Sequence, residues 1–269
     1  MKYDAAVWCH IGHIRNNNED NFFLNGSTRQ DTGTPISACT RKGQTKKALF
    51  AVADGMGGGA NGEIASVVTV SCLRPAAASK VLSVSKDSIA EANGWICDHI
   101  RNTNCGSMGS TLVALYLDGN TALGCNVGDS RLYLYRAQYL RLLSTDHTNA
   151  QMMVDMGLLT PEQARNHPGG RALRQHIGIF EEDFTISPAY TDPISLQPGD
   201  IFLLCSDGLT DMLTDQQISQ ILCIDRSPEE LAQTLTQQAL DHGGKDNVTA
   251  MVVKIHDKKW FDRFKPGKR

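Results

Sequence analysis

Short apolar runs, rather than long helical ones, dominate the chain. Residues 3–10 alternate loosely and predict a first strand, and Phe22 to Leu24 predict a second one after a polar loop. Residues 25–47 are rich in Gly, Ser, Thr, Lys and Arg and contain Pro35. They read as a surface excursion between two strands, long for a hairpin. Leu49 to Ala53 is apolar throughout, which predicts a buried strand stopping at Asp54. Glycines at 55, 57, 58, 59 and 62 then predict a tight turn, and a helix follows from Glu63, ending before Pro75. After a small-residue connection over 76–85, Ile89, Ala92, Ile96 and Ile100 mark a second helix over Lys86 to Arg101.

From Gly109 the period returns to that of strands. Ser110–Leu117, Thr121–Val127, Arg131–Tyr135 and Tyr139–Leu143 are separated by turn residues at 118–120 and 128–130. Four strands at this spacing predict an antiparallel meander. Residues 148–180 break the pattern. A turn or two of helix is expected over Gln151 to Met156, and Thr160-Pro161-Glu162-Gln163 reads as a capped helix start. Asn166 to Gly170 with Arg171, Arg174 and His176 make a polar segment, read as a flap over a site. Residues 184–190 and 200–205 are again strand-like, around a turn at Pro198-Gly199-Asp200. Thr214 and Ser227 each open a capped helix, and Val248 to Ile255 is a last strand. Strands near both ends favour one domain over 1–257, followed by a basic, aromatic tail over 258–269.

Composition narrows the classes. With 269 residues the chain can bury a sizeable core, and a net charge of −3 does not point to nucleic acid. No run approaches the ~18 apolar residues of a membrane span. Asp4 and the lack of an apolar stretch make the first residues unlike a signal peptide. The eight cysteines, none in a Cys-x-x-Cys pair, read as reduced thiols, many in the core, and so as a cytoplasmic protein.

Five acids recur in one setting, a loop touching an apolar strand: Asp20, Asp54, Asp129, Asp207 and Asp246. Clustered carboxylates repel unless cations neutralise them. An all-oxygen donor set suits Mg²⁺ or Mn²⁺ rather than zinc. Two such ions can activate a bridging water for in-line displacement at phosphorus. Arg15, shortly before Glu19 and Asp20, can offer a planar fork to phosphate oxygens.

Seven blocks occur in order: Arg15-x-x-Asn18-Glu19-Asp20; Ala53-Asp54-Gly55-Met56-Gly57-Gly58 with Gly62-Glu63 and Ala65-Ser66; Gly109-Ser110-Thr111; Val127-Gly128-Asp129-Ser130-Arg131; Asp146-His147; Ser206-Asp207-Gly208; and Asp246-Asn247-Val248-Thr249. In these the chain resembles the metal-dependent Ser/Thr protein phosphatases of the PPM family, type 2C. The resemblance implies an α+β, four-layer αββα sandwich of two antiparallel sheets flanked by helices. It also implies hydrolysis of phosphoserine and phosphothreonine by a water or hydroxide bridging two Mg²⁺ or Mn²⁺ ions.

Under that resemblance Asp54 bridges both ions and the Gly55 carbonyl binds one. Asp207 and Asp246 bind one ion, Asp20 serves the other directly or through water with Glu19 beside it behind the ligands, and Asp129 with Asp207 serves a third, weaker ion. Arg15 clamps the phosphate, and residues 148–180 match a variable flap. The implied partners are phosphorylated proteins made by a cognate Ser/Thr kinase, with the chain acting as a monomer. Many eukaryotic members carry His where this chain has Met56, which cannot donate a proton. His147 and His13 are candidate acids in its place, and Met there resembles bacterial or phage relatives. The alternatives are a non-catalytic pseudophosphatase on the same fold and a phosphatase of small esters or regulators.

Overall fold

A computed structural model describes residues 1–29, 34–57, 61–73, 81–165 and 167–257. Gly58, Gly59, Pro75, residues 76–80, Asn166 and the tail over 258–269 lie outside the described residues. The strands are β1 (Lys2–His10), β2 (Asp20–Leu24), β3 (Ser27–Thr28), β4 (Ile36–Gln44), β5 (Ala48–Gly57), β6 (Met108–Ser110) and β7 (Leu112–Asp118). They continue as β8 (Thr121–Val127), β9 (Arg131–Arg136), β10 (Tyr139–Leu142), β11 (Ala189–Tyr190), β12 (Ile194–Ser195), β13 (Ile201–Cys205) and β14 (Val248–His256). The helices are α1 (Asn61–Ser71), α2 (Val81–Thr103), α3 (Asn149–Asp155), α4 (Pro161–Arg165), α5 (Asp207–Thr210), α6 (Asp215–Leu222) and α7 (Pro228–Asp241).

Two antiparallel sheets form. One has the order β10-β9-β13-β14-β1-β4; the other runs β11-β8-β7-β5-β2-β3, with β12 on β8 and β6 on β5. The period of two sorts side chains between faces. Val7, Phe22, Phe50, Val52, Leu115, Phe202 and Val253 meet in the core between the sheets. The alternate residues Leu49, Ala51, Ala53 and Ala114 face outward, against Ala65 and Val70 of α1 and Ile89, Ala92 and Ile96 of α2. On the other side Leu203, Cys205, Ala250 and Val252 pack against Ile218 of α6 and Leu231, Leu235 and Ala239 of α7. The result is the four-layer αββα sandwich. Both Thr214 and Ser227 form full capping boxes, with Gln217 and Glu230.

Five expectations change. The excursion over 25–47 contains β4, which pairs with β1 along its whole length, Lys2 with Gln44 through His10 with Ile36. It is an edge strand, so it is mostly exposed and polar. Arg41 and Lys42 discourage further pairing there. The buried strand does not stop at Asp54: Gly55, Met56 and Gly57 go on to pair with β6. A side chain at Gly55 would overlap the Gly62 carbonyl, so glycine permits the close approach.

The expected meander is split between sheets. β7 and β8 form a hairpin in one, β9 and β10 in the other, and residues 128–130 cross between them. Gly128, at φ +98°, makes that crossing where a side chain would also meet Thr111. Finally, α2 begins at Val81, ahead of Lys86, and the strand expected over 184–190 shrinks to β11. No described helix is long and apolar enough to cross a membrane.

Candidate metal centre

The same end of both sheets receives the acids. Asp20 opens β2, and Asp54 lies opposite it on β5. Asp129 sits in the crossing after β8. Asp207 opens α5 directly after β13, and Asp246 lies just before β14. A cavity of about 290 Å³ opens here. Its walls carry Arg15, Glu19, Asp54, Gly55, Met56, Thr111, Asp129, Arg171, Asp207, Asp246 and Asn247.

Backbone and hydroxyl contacts fix this geometry. The Asp54 backbone N–H donates to Thr111 Oγ1 at 3.0 Å, and the Thr111 N–H donates back to the Asp54 carbonyl at 2.8 Å. The Thr111 and Ser130 hydroxyls meet at 2.7 Å, linking the Asp54 strand to the crossing that carries Asp129. Asn247 holds the Arg15 loop from the other side. Its Nδ2 donates to the Ile11 and Asn17 carbonyls at 2.8 and 2.9 Å, and its Oδ1 accepts from the Glu19 N–H at 2.7 Å.

Asp20 does not line the cavity. It is fully buried behind it, and its Oδ2 accepts from the Ser206 and Thr249 hydroxyls, each at 2.7 Å. Those hydroxyls belong to the opposite sheet, so Asp20 latches the two sheets together at this end. Glu19 is the member of the pair that faces the cavity. The resemblance has Asp20 serving an ion directly or through water; here β2 begins at Asp20, so its side chain turns inward and stands outside the cavity lining.

The acids are kept under charge stress. Burial, then the charges of Asp20, Asp207, Asp129 and Asp246, raises the Asp54 pKa well above the usual carboxylate range. Burial with neighbouring acids lifts Asp20 to about 7 and Asp207 to about 6. Asp129 is raised as well, by burial and then by Asp207 and Asp146. Asp20 Oδ1 and Asp207 Oδ1 are buried with no hydrogen-bond partner among the described residues. Cations compensate in part: Arg15 Nη2 donates to Asp246 Oδ2 at 2.6 Å, and the charges of Arg171 and Arg131 act on Asp207 and Asp129.

Unpaired, buried, all-oxygen donors around one polar cavity fit hard divalent cations. No three of the described His, Cys, Asp or Glu side chains are gathered as a ready-made cage.

The Protein phosphatase 2C family model matches residues 24–250. The chain belongs to the protein phosphatase 2C family. It is 31% identical over 267 residues to protein phosphatase PhpP of Streptococcus pneumoniae, covering 94% of this chain and 98% of that one. A crystal structure of the Mycobacterium tuberculosis serine/threonine phosphatase PstP superposes with a TM-score of 0.80 at 31% identity, over 96% of this chain and 100% of that one. A structure of the catalytic domain of PstP in complex with two manganese ions matches at 30% identity and TM-score 0.77, again over 96% and 100%.

Within this type-2C chain neither candidate histidine lines the cavity. His147 Nδ1 accepts from the Gly128 N–H at 3.2 Å, and the His147 backbone N–H donates to the Gly128 carbonyl at 2.9 Å. It is a clamp on the Asp129 crossing, and burial lowers its pKa, favouring the neutral ring that this acceptor role needs. His13 packs near Gly244 instead. Thr111, Asn247 and Thr249 had no assigned role in the sequence reading, although each lies inside one of the seven blocks. Arg171, noted only as part of the polar segment, reaches the cavity wall and pairs with Asp211.

Proposed function

We propose that this chain is a metal-dependent protein serine/threonine phosphatase that hydrolyses phosphoserine and phosphothreonine at this cavity. The observation that carries the reading is that Asp54, Asp129, Asp207 and Asp246, from the ends of both sheets, line one cavity together with Arg15. Asp54 and the Gly55 carbonyl, with Asp207 and Asp246, would hold two Mn²⁺ or Mg²⁺ ions. Asp129 with Asp207 would serve a third, weaker one, Glu19 would face this set from its own wall, and Asp20 would support it from behind. When bound, the ions supply a water acidified enough to attack phosphorus and neutralise charge in the transition state.

The chain's own residues do the rest. Arg15, about half exposed along its side chain, can release Asp246 and turn its fork to phosphate oxygens. Thr111 and Ser130 keep Asp54 and Asp129 at a fixed separation. Met56 lines the cavity but has no proton to give, which leaves solvent as the proton source for the departing serine or threonine oxygen. Residues 148–180 form the flap, with Arg171 and Leu173 as its contacts to the cavity, inside a single catalytic domain over 1–257. Free cysteines support a reducing, cytoplasmic setting, and a Ser/Thr kinase would supply the phosphorylated partners of this monomer. The intact acid set favours this over the pseudophosphatase.

The test is turnover of a phosphoserine peptide with Mn²⁺. Activity should vanish in EDTA and fall by ~10²-fold in Arg15→Ala. Turnover that persists in EDTA would remove the proposal.

A further inference from the structure

We propose that Arg29, which lies in none of the seven blocks, is a positioning residue that sets the metal affinity of the site by fixing both walls around Glu19. The inference rests on the metal-centre reading above and deepens it. Arg29 is a cation whose side chain is only 9% exposed. Burying a guanidinium is costly unless its hydrogen bonds are well placed. Its Nη2 donates to the Asn18 carbonyl at 2.7 Å and to Glu63 Oε1 at 3.1 Å. Its backbone N–H donates to Asn21 Oδ1 at 3.1 Å.

These partners are the two neighbours of one carboxylate. Asn18 immediately precedes Glu19 on the loop. Glu63 immediately follows Gly62 at the start of α1, and Gly62 is where the Glu19 carboxyl rests. A Cβ at Gly62 would lie 2.5 Å from Glu19 Cδ. One guanidinium nitrogen therefore ties the backbone that carries Glu19 to the helix turn that cradles its side chain. Without it the loop and α1 lose their direct side-chain tie, and Glu19 keeps only the restraints on its backbone, from Gly55 N–H at 3.1 Å and from Asn247. Asn247 restrains the same loop from the β14 side, so Arg29 acts as the opposing brace. It touches no cavity-lining side chain and acts through Glu19.

The test is calorimetric titration of Mn²⁺ into the full chain, with thermal melts in EDTA read beside it. Arg29→Met keeps the apolar stem and removes the fork; it should weaken Mn²⁺ binding about tenfold or more. Glu63→Gln should weaken it less, and the double variant should be no worse than Arg29→Met alone, since both break one link. Arg136→Met is the matched control. It removes a buried arginine–aspartate pair at the opposite end of the sandwich and should lower the melting temperature while leaving Mn²⁺ affinity unchanged. If Arg29→Met fails to fold, Glu63→Gln against Arg136→Met decides the question alone. Wild-type affinity in Arg29→Met and Glu63→Gln, or an equal loss in Arg136→Met, would overturn the brace and leave the metal centre standing. No saturable Mn²⁺ binding by the unaltered chain would overturn both.

Discussion

The two ends of the sandwich handle buried acids in opposite ways. Away from the cavity, Asp200 is 1% exposed and fully answered: Arg136 grips both oxygens at 2.7 and 2.8 Å, and the Gln197 N–H adds another bond. Asp4 at the same end has Lys42 at 3.4 Å and His256 at 3.7 Å from its Oδ2, while its Oδ1 is buried with no hydrogen-bond partner among the described residues. At the cavity end Asp54, Asp129 and Asp207 crowd one another, and of these acids and Asp246 only Asp246 forms an ion pair among the described residues. The chain evidently can pair a buried acid where pairing serves stability. Where it does not, the uncompensated charge is a binding potential for cations.

Four experiments test that contrast. The largest effect belongs to Asp54→Asn, which should lower Mn²⁺-dependent turnover of a phosphopeptide on the order of 10³-fold. The same variant, melted in EDTA, should be no less stable than the unaltered chain, because a repelling charge is gone. A clear fall in its metal-free melting temperature would break the comparison. Next, Arg136→Ala should cost about 3 kcal/mol by urea unfolding, leaving Asp200 buried and unpaired, with unchanged turnover at low temperature.

The third effect is a pH dependence of metal-free stability. Folded Asp20 and Asp207 titrate near 7 and 6, above the unfolded value near 4. Between those limits the folded state binds more protons than the unfolded one. The cluster's destabilisation is therefore full above pH 7 and relieved as pH falls through the folded values. Buried neutral histidines such as His147 and His176 act in the opposite sense. The difference between the unaltered chain and Asp207→Asn isolates the acids; in EDTA it should shrink from pH 8 to pH 5.5. The smallest effect is that of Asp225→Asn. Its partner Lys254 lies at 2.8 Å, but Asp225 is 98% exposed, so unfolding should shift by no more than ~0.5 kcal/mol.

The failures of the sequence reading share a cause. An edge strand such as β4 has one side in water, so it carries a loop's composition, and only its pairing with β1 reveals it. The split of the predicted meander turns on whether β9 pairs with β8 or with β13. Nothing within residues 121–135 decides that, because the deciding partner lies some seventy residues further on. Asp20 and Glu19 are adjacent, and which one faces the cavity follows from where β2 begins. Arg29 gave no signal at all, since its partners are a carbonyl at residue 18 and an acid at residue 63.

Runs of apolar residues, caps at Thr214 and Ser227, and acids at strand ends are short-range facts, and short-range physics was enough to place strands, helices and candidate ligands. Packing two sheets face to face is a long-range event. It alone brought residues 54, 129, 207 and 246 around one cavity, set Asp20 outside its lining and placed His147 against the crossing at Gly128. Side-chain orientation and charge coupling depend on neighbours that the linear order keeps far apart.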